Sequence, residues 1–378
     1  MKTVIIKSVK SVYFWLFLLA AVNLAIAFLF VRYPLSLNGD APSYLNAMRI
    51  IEGKDYDHFA YGDQTEIMLK TRILTTPLML YSSILLSYLT GSEYGAMLVV
   101  NIIFYFLIIF VFYQLVYAIY KNRLVAFLSA VLFFGNYGLY NYGVTYRTDL
   151  GGWFFFLLSS LFAVRYFKDP AKQKFFYFSV LASAVGVLFK EYGALGLTVL
   201  VILILFLSLR LLDKIKKISK AILLFSVLPI LYYLFVYLQF HFSYLDRYQY
   251  ALVETIGENA DAGINWSVIL LVKVLGWLFL AGWPIFFYGL YQEHKNFNRE
   301  RFKILVSMLP ASLSFLAWPG LTQRIAFVFV PLLAMISGFG LSKLKNKYII
   351  ALILVAYLLV NYLIRNMSVT DLMHLINF

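Results

Sequence analysis

Residues 12–31, VYFWLFLLAAVNLAIAFLFV, carry no charged side chain, and apolar runs of the same kind recur to the end of the chain with short basic segments between them. A helix of about 20 apolar residues crosses the hydrocarbon core of a bilayer. Lipid offers no partner to an open backbone, so runs of this length fold as helices whose hydrogen bonds are internal. The balance of the whole sequence agrees: 62% hydrophobic, 13% charged and a mean hydropathy of +0.81 lie outside the range of soluble globular domains. The chain is therefore expected to be an all-α polytopic membrane protein. About eleven spans are expected, at 12–31, 96–119, 124–142, 150–167, 175–189, 192–209, 220–241, 267–291, 302–318, 324–341 and 348–365. The first run is too long for a signal-peptide core and no small-residue cleavage site follows it, so it reads as a retained span.

The net charge of +14 would suit a nucleic-acid partner, but its placement points elsewhere. Basic clusters at Lys2/Lys7/Lys10, Lys121/Arg123, Arg165/Lys168/Lys172/Lys174, Arg210 to Lys220, Lys295 to Lys303 and Lys343/Lys345/Lys347 hold 21 of the 32 Lys and Arg but only 4 of the 18 acids. That asymmetry marks cytoplasmic turns. It puts the amino terminus inside, the carboxyl terminus outside, and residues 32–93 and 242–266 in outer segments. The excess charge is topology, and no nucleic-acid partner is expected. Zero cysteines exclude disulfides and Cys-ligated zinc and point to a prokaryotic plasma membrane.

One conflict fixes the first outer segment. After residue 31 the chain is outside and at Lys121 it is inside, so only one of the apolar stretches 74–89 and 96–119 crosses. The first is shorter, contains Pro77 and a run of hydroxyls, and ends at Thr90-Gly91-Ser92-Glu93. It is read as an amphipathic interfacial helix, one of two or three in residues 32–93.

Ionisable residues that interrupt apolar runs then fall at one membrane face: Asp40 after the first span, Arg147 and Asp149 before the fourth, Lys190-Glu191 between the fifth and sixth, and Arg324 at the tenth. Such charges cost several kcal/mol to bury unless they pair or bind a ligand. Each has a plain structural reading. Asp40, with Pro42 behind it, suits a helix N-cap. Lys190-Glu191 suits a snorkelling pair, Arg324 a partner for Glu191 or Asp149, and Arg147-Asp149 a loop pair. Asp55, Asp57 and His58, with Asp63 and Glu66, form an acidic loop that is a weak metal candidate; one histidine among carboxylates in a polar loop is more often simply solvated, and no cofactor is expected.

The motifs GDAPSYLNAMRIIEGKDY after span one, YRTDLGGWFFFLLSSLF at span four and VLFKEYGAL after span five together resemble the GT-C superfamily of membrane glycosyltransferases, which includes protein O-mannosyltransferases, lipid A aminoarabinose transferases and oligosaccharyltransferase catalytic subunits. The resemblance covers residues 12–241, a GT-C-like catalytic module, followed by a variable membrane module over 242–378; no separate soluble domain is expected. It implies transfer of a sugar from a polyprenyl-phosphate donor to a lipid, glycan or protein acceptor on the extracytoplasmic face, with inversion. It matches Asp40 to the family's catalytic base and Asp149 to its second-loop acid. The family often has two adjacent acids after span one, where this sequence has Asp40-Ala41.

The chemistry suits the residue types. A carboxylate can take the proton of an attacking hydroxyl, which is the role for Asp40. The leaving lipid phosphate needs cations, which Lys190, Arg147 and Arg324 supply, with Glu191 in support. A transporter or flippase of lipid-linked sugars would also use intramembrane charge, but repeats and midplane acids are expected there. A polysaccharide polymerase or ligase is a second alternative.

Overall fold

The computed structural model describes residues 11–30, 40–55, 66–249, 268–317 and 322–366, and among them all regular structure is helical. The helices are α1 Val12–Phe30, α2 Ala41–Glu52, α3 Glu66–Thr75, α4 Pro77–Thr90, α5 Glu93–Tyr120, α6 Arg123–Phe134, α7 Asp149–Lys168, α8 Gln173–Phe189, α9 Leu195–Phe206, α10 Leu211–Phe240, α11 Val268–Phe279, α12 Gly282–Lys295, α13 Arg299–Ser312, α14 Val330–Ser342 and α15 Lys347–Asn366. A turn at Gln323–Ala326 and a tight turn at Phe327–Phe329 lead into α14.

By length and composition four segments suffice to cross a membrane: Glu93–Tyr120, Asp149–Lys168, Leu211–Phe240 and Gln323–Ser342. Shorter apolar helices stand at most of the other expected positions. The differences have local causes. The expected span 124–142 stops as an α-helix at Phe134 and resumes as a wide turn over Leu139–Gly143, and 267–291 breaks where Leu280 adopts φ 46°. The basic segment expected as a loop before residue 220 is the amino-terminal part of α10, whose cations still lie at its polar end.

The segment 66–90 shows how proline divides an apolar run. Pro77 has no amide hydrogen to donate and disfavours a helical residue before it. Accordingly α3 ends at Thr75, α4 starts at Pro77, and the two are bent by 92°. With 14 residues α4 is about 21 Å long, short of the roughly 30 Å of a hydrocarbon core. Ser92 then caps α5, its Oγ accepting from the Gly95 amide at 3.1 Å.

The core lies between α5, α6, α7 and α14, around Trp153, Phe112, Phe133 and Phe327. The windows tested for crossing show which helices are central: 83% of the one in Gln323–Ser342 is buried, against 17% of the one in α10, whose Leu223, Leu231 and Leu238 face outward. In a bilayer that outward face is solvated by lipid. Helices α7, α8 and α9 approach closely through small residues. A Cβ on Gly193 would stand 2.1 Å from the Gly186 carbonyl carbon, and the Ser159 and Ser179 hydroxyls lie 3.0 Å apart between α7 and α8.

Candidate active site

Four chain segments meet at the start of α7. Asp149 is its first residue, wholly buried, where the helix amino terminus favours an anion. Arg324, on the turn before α14, donates from Nε to Asp149 Oδ2 at 2.8 Å and from Nη1 to Asp40 Oδ2 at 2.5 Å. Arg72, in the last turn of α3, donates from Nη2 to the other Asp40 oxygen, Oδ1, at 2.7 Å and from Nε to Ser43 Oγ at 2.9 Å. Its guanidinium carbon also lies 4.9 Å from the Tyr44 ring centroid.

The scaffold beneath is specific. Asn101 of α5 ties down the loop ahead of α7, donating to the Thr145 carbonyl at 2.6 Å and the Arg147 carbonyl at 2.7 Å. Thr148 donates to the buried Tyr44 hydroxyl at 3.2 Å, which locks α2 against that loop. Tyr142 donates to Gln323 Oε1 at 2.9 Å, and Trp153 packs on Phe327 with ring centroids 4.2 Å apart, so the Arg324 turn is held against α7 from both sides. Lys190 ends α8 in extended backbone. A Cβ on Gly152 would stand 2.6 Å from the Lys190 Cβ, so only glycine there lets the Lys190 backbone seat on α7.

Charge dominates the site. Burial alone pushes the Asp40 carboxyl up, but Arg72, Arg324 and Lys190 outweigh it and hold the carboxyl well below the usual carboxylate range. The same field reaches Tyr44: burial raises its phenol, and Lys190 and Arg72 draw it back below its ordinary value. Among the described residues Lys190 has no carboxylate at ion-pair distance.

Several expectations are corrected. Asp40 precedes α2 with Pro42 in the first turn, but its φ and ψ are helical and its side chain makes no cap hydrogen bond. The carboxylate is occupied by two arginines; its backbone carbonyl accepts from Ser43 Oγ at 2.7 Å instead. Of the two partners expected for it Arg324 takes Asp149, while Glu191 pairs with Arg247 rather than with its neighbour Lys190. Arg147 makes no ion pair with Asp149 among the described residues; Arg324 holds Oδ2 of that carboxylate.

Asp55 is exposed, and Asp57, His58 and Asp63 lie outside the described residues. Among the described residues no group of three or more His, Cys, Asp or Glu could hold a metal. The two acids at the site are bridged by the Arg324 guanidinium, so the chain itself supplies the positive charge between them.

Arg72 and Arg247 were not singled out from the sequence. The signal for Arg72 was that it stands apart from the basic clusters of the sequence.

No family model and no curated protein matches the sequence. Solved structures do. The oligosaccharyltransferase of Archaeoglobus fulgidus in complex with zinc and sulfate matches with a TM-score of 0.60 at 16% identity, over 94% of this chain and 52% of that one. The same enzyme, AglB, in complex with an inhibitory peptide and a dolichol-phosphate matches at 0.56 and 13% identity, over 94% and 55%. Tethered to an acceptor peptide with the NVT sequon it matches at 0.54 and 14%, over 95% and 54%. The chain thus spans about half the length of these proteins, and at such identities the likeness is one of fold. The fold is therefore the one that these oligosaccharyltransferase structures share.

Proposed function

We propose that this protein is a membrane glycosyltransferase that moves a sugar from a polyprenyl-phosphate donor to an acceptor hydroxyl at the extracytoplasmic face, with inversion and with Asp40 as general base. The observation that carries this reading is the pairing of Arg72 and Arg324 with Asp40, with the charge of Lys190 acting on the same carboxylate. Three cations face two carboxylates there, and an anionic ligand balances them. The AglB structure with a dolichol-phosphate supports a lipid phosphate as that ligand.

In the reaction the acceptor oxygen bonds to the anomeric carbon as its proton passes to Asp40. The bond from that carbon to the phosphate oxygen breaks, its electron pair leaving on the lipid phosphate. Arginine forks and the Lys190 ammonium, with Arg147 nearby, stabilise the charge that develops. Asp149 acts through Arg324, which it holds in place. Attack opposite the departing phosphate inverts the anomeric centre. In this reading the chain has about eleven spans and its amino terminus in the cytoplasm of a prokaryotic cell, so that the site faces outward, and 242–378 contributes Arg324 to a site otherwise built by 1–241.

Purified protein, a radiolabelled polyprenyl-phosphate sugar and pooled envelope acceptors test this directly. Asp40→Asn is expected to lower turnover by roughly 10²–10⁴, the effect of losing a positioned base. Lys190→Ala is expected to weaken donor binding at unchanged expression. Full turnover in Asp40→Asn would remove the base, and absence of any sugar transfer alongside movement of the intact lipid-linked sugar across vesicles would favour the flippase.

A further inference from the structure

Asp40, as the structure shows it, is a poor base. Arg72 occupies Oδ1 and Arg324 occupies Oδ2. A carboxylate whose two oxygens each accept from a guanidinium has little tendency to take another proton. Something must release it before it can serve.

The two arginines are built to let go. Each is anchored by its Nε to a partner other than Asp40, Arg72 to Ser43 Oγ and Arg324 to the buried Asp149. Each touches Asp40 with a single Nη nitrogen. A guanidinium has five N–H donors in a rigid fork, so its Nη end can pass to another oxyanion while the Nε anchor stays. Exposure separates the two acids as well. The Asp40 side chain is 27% exposed and the arginines 17% and 19%, whereas Asp149 is at 0%. The Asp40 pairs are thus open to a ligand, whereas the Asp149 anchor is enclosed. Of the two carboxylates, Asp40 is the one that yields.

We propose that Arg72 and Arg324 are shared between Asp40 and the donor phosphate, so that phosphate binding takes over their Nη donors and frees the Asp40 carboxylate to accept a proton. Arg72 thereby masks the base in the empty enzyme and grips phosphate in the loaded one. The inference rests on the phosphate-site reading above, and makes that site a substrate-gated one: the base becomes competent only beside a bound donor.

The test is the affinity of a short-chain polyprenyl monophosphate for the full-length protein in detergent. Asparagine has the volume of aspartate without its charge, so Asp40→Asn removes the carboxylate that holds the Nη ends of both arginines while their Nε anchors stay. It is expected to bind the lipid phosphate about tenfold more tightly than wild type. Arg72→Gln is expected to bind more weakly than wild type and to remove most of the gain when combined with Asp40→Asn. Equal affinity of wild type and Asp40→Asn overturns the exchange. So does a gain that survives Arg72→Gln, since it is then only the field of the lost carboxylate. If Arg72→Gln is not monodisperse, Arg72→Lys keeps the charge without the fork and is expected to reduce the gain in the same way; a full gain there also overturns the exchange. Lys190→Gln separates the two levels. If it weakens binding while Asp40→Asn gains nothing, the phosphate site stands and the exchange falls; if no cation variant weakens binding, the phosphate site itself falls.

Discussion

Between two guanidiniums, Asp40 contributes to stability only while it is ionised, and its carboxyl lies below the ordinary range because those cations outweigh burial. A depressed group of this kind adds stability that is fully present above its unfolded value, about 3.9, and is lost as pH falls through the folded one. Wild type is therefore expected to lose its stability difference from Asp40→Asn only below about pH 4, with a constant difference from about pH 5 to 8 in thermal melts. Arg324 is the more sensitive member, because it bridges Asp40 and a fully buried Asp149. Arg324→Ala leaves the Asp149 carboxylate buried without a cation and is expected to cost about 3–5 kcal/mol in a detergent unfolding titration. Arg324→Lys restores charge but not a fork that spans two acids, and recovers only part of this.

Helix approach, rather than helix propensity, sets the position of Lys190. The last turn of α8 and the turn that follows it lie against α7 and α8 through Gly152, Gly186 and Gly193. Gly193→Ala drives a Cβ into the Gly186 backbone, 2.1 Å away, and backbone has nowhere to yield. It is expected to destabilise by about 1–3 kcal/mol and to weaken lipid-phosphate binding by shifting Lys190. Gly276 in α11 is the control, with nothing within 4 Å of a Cβ. Gly276→Ala is expected to stabilise its helix slightly, by up to about 1 kcal/mol. Similar losses in both variants would show that glycine count, not close approach, governs this region.

For the molecule as a whole the decisive quantity is the side of the membrane on which α4 ends. The short α4, bent by 92° from α3, leads straight into the capped start of α5 at Ser92. If 66–90 enters and leaves by the outer face, Ser92 is outside, together with Asp40, Lys190 and Arg324. The chain has no cysteine, so Ser92→Cys is a single reporter. It is expected to react with a membrane-impermeant maleimide added outside intact cells. Labelling only after permeabilisation would invert the topology and separate the site from an extracytoplasmic donor.

Membrane residence and helical class were legible along the chain, because bilayer thickness acts on local runs of residues. Asp40, Asp149, Lys190 and Arg324 stood out for the same reason: each interrupts an apolar run. Helix breaks at Leu280 and within 124–142 did not stand out, since both stretches are apolar and packing alone decides where they turn. Nor did the pairing of charges. Arg72 lies 32 residues from Asp40, and Arg324 lies 284 from Asp40 and 175 from Asp149. Local pattern makes Asp40 a helix cap, yet Pro42 has no amide hydrogen to offer it, and a carboxylate gains more from two guanidiniums than from a backbone amide. Which cation reaches which acid depends on how four distant segments pack, and that is decided only when the bundle closes.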